Sequence, residues 1–213
     1  MVWARNVTLF FLAFLVGADE LLLGAILTPI GNDLSVRPES VTFFVTAYSL
    51  ANAACAFFFG VLSDRCGRMR ILIPASILFA AASIGTGLAA TFEMALFFRV
   101  LTGAASAGML PVAFAIASDA GGNNAERRIA FVSAGLTLGI IMSPGLRALL
   151  TALFSWRVAF AALGIAAVPF TALAFVTKSQ PHSVAVVTQP MLKAPLLVPG
   201  AMGALHPTPY LDR

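Results

Sequence analysis

Charge is what this chain has least of. Among its 213 residues, 13 are Lys or Arg and 9 are Asp or Glu, a tenth of the sequence together. Apolar residues make up 60%. A water-facing surface cannot be assembled from so few polar groups, which excludes an ordinary soluble domain and points to a membrane protein. Cysteine is nearly absent as well. Cys55 lies in an apolar run and Cys66 in a basic loop. This excludes a disulfide framework and a metal-ligand spacing, and both are expected to be free thiols. The chain has no phosphate-binding glycine loop, nucleophile elbow or metal signature, and His182 and His206 lie in the tail away from any ligand-spaced residue. Enzymatic chemistry, a cofactor and a bound metal are therefore not expected. The net charge of +4 does not imply a nucleic-acid partner either. The basic residues fall mainly in short gaps between apolar runs, as membrane topology requires.

A spanning helix needs about 20 mostly apolar residues. Six segments qualify: Asn6–Ile30, Val41–Val61, Ile71–Ala90, Met94–Ala117, Ile129–Phe154 and Val158–Thr177. Arg5 followed by the apolar run Val7–Ala18 has the outline of a signal peptide. The apolar stretch resumes after Asp19 and Glu20, however, and its 25 residues to Ile30 are long enough to cross a bilayer. The connections are short: Gly31–Ser40, Ser63–Arg70, Thr91–Glu93, Ser118–Arg128 and Ser155–Arg157. Gaps of that length force antiparallel neighbours, so the expected fold is an all-α membrane protein, a six-transmembrane-helix bundle over residues 1–177. With the N-terminus inside, the cytoplasmic side carries Arg5, Arg65, Arg68, Arg70, Arg127, Arg128 and Lys178, against Arg37 and Arg157 outside. That bias places both termini in the cytoplasm of a multi-pass protein of the inner (plasma) membrane. Residues 178–213 hold Pro181, Pro190, Pro195, Pro199, Pro207 and Pro209. No apolar run between those prolines can span, so this segment reads as a cytoplasmic tail without regular structure, or as a non-native end.

The sharpest local pattern is Gly60-Val-Leu-Ser-Asp64-Arg65-Cys-Gly67-Arg68-Met-Arg70, between the second and third spans. Gly60 allows close helix contact, and Gly67 permits a tight turn. Asp64 can pair with a nearby Arg or cap a helix. Arg65, Arg68 and Arg70 suit the anionic inner leaflet. In composition, spacing and location this resembles the cytoplasmic signature loop G-x-x-x-D-R-x-G-R-[RK] of the major facilitator superfamily. The resemblance extends over Asn6–Thr177. Tyr48, the run Arg99-Val-Leu-Thr-Gly103 with Gly108 and Pro111, and the turn Ser155-Trp156-Arg157 look like the drug and sugar efflux branch, whose members exchange substrate for protons. That branch commonly carries G-x-x-x-G-P-x-x-G-G in its fifth span. Here the stretch reads Gly139-Ile-Ile-Met-Ser143-Pro144-Gly145-Leu-Arg147-Ala148, keeping the proline but replacing three glycines.

Asp19 and Glu20 are the costliest residues in the chain. A carboxylate near the middle of a span costs at least a few kcal/mol, and such groups usually face a bundle interior or a wet cavity where they bind ions or protons. Neighbours on a helix point about 100° apart, so the two cannot serve one cavity equally. The resemblance favours Glu20 as the proton-exchanging acid, with Asp19 second, or with Asp19 simply satisfied by a neighbour such as Arg99. Arg99 either lines the cavity or snorkels to the surface, and Arg147 has the same two options. The remaining Gly, Ala and Ser repeats, Gly103 with Ala107 and Gly108 and Ser83 with Gly87, suit helix packing. Pro29, Pro74, Pro111, Pro144 and Pro169 are expected to start or bend helices.

The resemblance implies one six-helix half of a twelve-helix transporter, with a small-molecule substrate and protons as its partners in the bilayer. Three settings remain open: part of a full-length exporter joined to a second six-helix half, a homodimer of halves, or a truncated, non-transporting remnant or membrane interaction protein. An apolar cavity with one or two acids suits a lipophilic cation, and sugars belong to the same branch.

Overall fold

In a bilayer every backbone N–H and C=O must be satisfied within its own segment, so long apolar runs fold as helices. The computed structural model describes residues 2–20 and 26–177. There the regular structure is entirely helical: α1 (Val2–Glu20), α2 (Leu27–Asp33), a 3-10 turn (Pro38–Thr42), α3 (Phe43–Cys66), α4 (Arg68–Leu88), α5 (Phe92–Ser118), α6 (Gly122–Leu153) and α7 (Trp156–Thr177). Among the described residues five helices, α3 through α7, are long and apolar enough to cross a membrane. The first expected span is represented by α1 and α2, and residues 21–25 within it lie outside the described residues. So does the Pro-rich tail 178–213.

The helices run further than hydropathy marks. α3 continues to Cys66 and α4 begins at Arg68, so the expected loop Ser63–Arg70 shrinks to Gly67, whose φ of 100° turns the chain. Likewise α6 begins at Gly122 instead of Ile129, which leaves Asp119–Gly121 as the link. Hydropathy reports only the hydrocarbon zone, whereas helical hydrogen bonding continues into the interface, where polar side chains are tolerated. The prolines follow the same rule: Pro74, Pro111, Pro144 and Pro169 all sit inside continuous helices.

Packing follows a crossed pattern. α1 lies on α6, α3 on α5, and α4 on both α7 and α5. With α1, α3 and α4 taken as one set and α5, α6 and α7 as another, the first helix of each packs on the second of the other, and the third helices pair. This is the arrangement expected of two inverted repeats. Small residues make the close approaches possible. A methyl group on Gly139 would collide with the Phe14 carbonyl oxygen, one on Gly135 with that of Phe10, and one on Gly103 with that of Tyr48. Gly108 faces the Ala75 methyl in the same way. The fifth span therefore keeps its close contact with the first through Gly135 and Gly139, although the later glycines of the expected motif are replaced.

One apolar core, with Leu12, Val16, Phe79, Met109 and Val112 at its centre, fills the bundle. A second, around Ile30, Phe44, Trp156 and Phe160, closes the end opposite Gly67. There the Trp156 indole N–H donates to Asp33 at 2.9 Å, Arg157 pairs with Asp33, and Arg157 also donates to the Ala89 carbonyl at 3.0 Å. The outward faces carry Phe57, Phe58, Phe97, Ile141 and Phe175, all exposed and apolar, as a lipid-facing surface should be.

Candidate functional site

Three helices bring a charged cluster into the middle of this apolar bundle. Asp19 comes from the end of α1, Arg99 from the second turn of α5, and Arg147 from α6. The Asp19 and Arg99 side chains have no solvent exposure, and that of Arg147 has 5%. Arg99 Nη1 donates to both Asp19 oxygens at 3.0 Å, and Arg147 Nη2 donates to Asp19 Oδ1 at 3.0 Å. Arg99 is further held by Thr86 and Thr102 at 3.3 Å through Nη2. Both guanidiniums lie over the Phe160 ring, at 4.6 and 4.9 Å from its centre. Arg147 and Ser143 also donate to the Ala18 carbonyl, at 2.9 and 2.6 Å. The cluster therefore holds two positive charges against one negative, and Arg147 Nε and Nη1 are buried without a partner among the described residues.

Glu20 is placed apart from this cluster. The 100° step from Asp19 turns it outward, and it is exposed. It lines an open cleft of about 200 Å³ with Val16 from α1, Tyr48, Ser49, Asn52 and Ala53 from α3, and Leu110 from α5. Tyr48 is buried behind that wall, and its hydroxyl donates to Ser106 at 2.9 Å. The two adjacent acids thus have separate surroundings. Asp19 is saturated by arginines inside the bundle. Glu20 stands on the open side.

The signature loop is a strap between helix ends. Arg68 pairs with Asp64, donates to Ser63 at 3.1 Å, and reaches Asp119 Oδ2 at 3.5 Å, which ties the start of α4 to the ends of α3 and α5. Asp64 serves as an ion-pair partner and caps no helix here. Arg65 and Arg70 are exposed. Gly60 makes no close helix contact in this bundle, and a methyl group there would meet nothing within 4 Å. Its smooth face is turned outward along with most of α3. Pro111 and Pro144 are also exposed.

The sequence profile of the Major Facilitator Superfamily matches residues 9–210. The chain belongs to the Major Facilitator Superfamily. Superfamily relatives include a lincomycin resistance protein of Streptomyces lincolnensis, 32% identical over 161 residues that cover 72% of this chain and 33% of that protein. A chloramphenicol resistance protein of Pseudomonas aeruginosa is 28% identical over 68% of the chain and 35% of its own length. The multidrug resistance protein MdtL of Shigella flexneri is 32% identical over 82% of the chain and 45% of its own length. The chain thus spans a third to just under a half of these relatives. It is a membrane protein of a transporter superfamily, and its relatives include proteins named for drug resistance.

In sequence Arg147 has two options, lining the cavity or snorkelling, and its partners Ser143 and Phe160 are not singled out as part of a site. One signal was available. An arginine well inside an apolar span, with no acid near it in sequence, must find a carboxylate elsewhere in the fold.

Proposed function

We propose that this chain supplies one six-helix half of a proton-coupled small-molecule exporter in the plasma (inner) membrane, with both termini cytoplasmic. The observation that carries the reading is the division of labour between Asp19 and Glu20. Asp19 is committed to Arg99 and Arg147 inside the bundle. Glu20 lines a cleft with Tyr48, Ser49 and Asn52, where a proton and a substrate can reach it. In this reading Glu20 exchanges the proton, the Asp19–Arg99 pair braces α1 against α5, and alternating access moves the cleft between the two sides. The cleft walls set Val16, Ala53, Leu110 and the Tyr48 ring beside Ser49 and Asn52 around one acid, which suits a cation with apolar groups. The names of the resistance proteins among its relatives agree with a drug-like substrate.

Transport needs a second six-helix unit to cover the cleft and the exposed face of α3. Gly60 favours that requirement, because a residue with open space around it on a small-residue helix face is suited to close approach by another helix. The unit is either the remainder of a longer polypeptide or a second copy of this chain. Without it the bundle would be a non-transporting membrane protein. The test is proton flux in inverted membrane vesicles energised by respiration and challenged with a lipophilic cation. Cation-dependent proton release is expected from the wild type and its loss from Glu20→Gln. Because Glu20 is exposed, the variant should keep the wild-type melting temperature. Normal flux in Glu20→Gln would remove this acid from the mechanism.

A further inference from the structure

A second cleft lies far from Glu20, between the beginnings of α1 and α6, and has a volume of about 370 Å³. Its polar lining is Asn6, Asn124, Arg127 and Arg128; its apolar lining is Trp3, Val7 and Phe131. Neither Arg127 nor Arg128 forms a salt bridge among the described residues, and nor does the adjacent Arg5. Asp119, the acid at the end of α5, is already engaged by Arg68. Two buried polar atoms, Arg5 Nε and Asn6 Oδ1, have no hydrogen-bond partner among the described residues. Asn124 lies in the first turn of α6, whose unpaired N–H groups and dipole add to the positive potential. Arg5, Arg127 and Arg128 gather at one helix mouth, where Glu126 and the Arg68-bound Asp119 are the neighbouring acids, and the three guanidiniums outnumber them, which suits an anion.

The apolar side of the cleft says which anion. Phe131 packs against Phe10, with ring centres 4.8 Å apart, and the two rings continue the wall from the cleft toward the membrane interior. Trp3 is 78% exposed at the other rim, the place an indole takes at the membrane–water boundary. The site is therefore basic at the interface and apolar below it. A free phosphate would use only the upper part. A glycerophospholipid uses both, with its headgroup on the arginines and an acyl chain along Val7 and Phe131.

We propose that this cleft binds one anionic phospholipid of the cytoplasmic leaflet. Basic recesses between spanning helices on that side are suited to such headgroups, and the volume lies within the range of small-ligand sites. The leaflet rests on the orientation proposed above; the binding itself does not, because it is measured in detergent.

The test uses the whole chain purified in detergent, with bound lipid counted by native mass spectrometry during titration with phosphatidylglycerol or phosphatidylcholine. One phosphatidylglycerol is expected to bind and phosphatidylcholine to bind far more weakly. Arg127→Gln/Arg128→Gln should weaken phosphatidylglycerol roughly 30-fold, the weight of two interfacial arginines. Should that variant fail to fold, the exposed Arg127→Gln alone is expected to weaken it roughly fivefold. Arg65→Gln/Arg70→Gln, basic residues away from the cleft, should change it less than about twofold, well below the per-arginine effect at the cleft. The proposal is overturned by equal binding of the two lipids, by an equal loss in Arg65→Gln/Arg70→Gln, or by displacement of the lipid by equimolar inorganic phosphate, which would make the site one for a free anion.

Discussion

Replacing Asp19 with Asn removes one negative charge and leaves two guanidiniums facing each other inside a membrane bundle. Asp19 and Arg99 are wholly buried, and Arg147 nearly so. Breaking a buried ion pair by deleting one partner costs about 3–5 kcal/mol, and two stranded like charges place Asp19→Asn at about 4–5 kcal/mol. Arg147→Met tests the other side of the same triad. It loses the bonds to Asp19 and to the Ala18 carbonyl, each worth about 1.5–3 kcal/mol as charge-assisted bonds. It also removes two buried nitrogens without partners among the described residues, which cost about 1–3 kcal/mol each. Those terms cancel to within about 2 kcal/mol, and Ser143 still serves the Ala18 carbonyl. Reversible unfolding in mixed micelles by titrated SDS measures all three variants. Asp19→Asn is expected to be severely destabilised and Arg147→Met nearly neutral. The double variant should be more stable than Asp19→Asn alone, because it relieves the charge repulsion. If Arg147→Met costs as much as Asp19→Asn, or if the double variant is no better than Asp19→Asn, the charge imbalance does not govern this cluster.

Two glycines one helix apart should respond oppositely to the same added methyl group. Gly103→Ala meets the Tyr48 carbonyl and is expected to cost about 1–3 kcal/mol by SDS unfolding, whereas Gly60→Ala meets nothing and should be neutral or up to about 1 kcal/mol stabilising through helix propensity; equal losses would show that Gly60 is already packed. The same Gly60→Ala change is expected to weaken association with a second six-helix unit, measured by cross-linking in the membrane. Cys66 is exposed beside the signature loop; with Cys55 changed to Ala, an impermeant maleimide should label it in inverted vesicles and not in intact cells, and the reverse pattern would invert the proposed topology. Arg68→Gln breaks partly exposed ion pairs to Asp64 and Asp119, so its cost should stay near 1 kcal/mol or below in thermal melts.

The class of fold was legible because apolar runs of membrane length admit few alternatives, and the signature loop is compact enough in sequence to be read directly. The helix ends were not legible. Cys66, Arg68 and Gly122 are polar or small, yet all are helical or flank helices, because backbone bonding does not stop where hydropathy falls. Asp19 and Glu20 were recognisable as costly, and their divergence followed from the 100° step. Which of them turned inward depended on Arg99 and Arg147, 80 and 128 residues away from Asp19. No local pattern carries such distances. Arg147 was ambiguous for the same reason: its acidic partner, Asp19, lies on another helix.

The distances separating the triad in sequence set an order of assembly. The ribosome makes Asp19 long before either arginine that neutralises it. At roughly 5–20 residues per second, Arg99 follows after roughly 4–16 s and Arg147 after roughly 6–26 s. During that interval α1 carries a carboxylate that lipid disfavours by a few kcal/mol, and the α6 groove that receives its Gly17 side has not been synthesised. The first helix therefore carries an unanswered carboxylate until the fourth and fifth spans bring Arg99 and Arg147. A bundle whose first buried acid waits for later spans is most vulnerable while α1 stands alone.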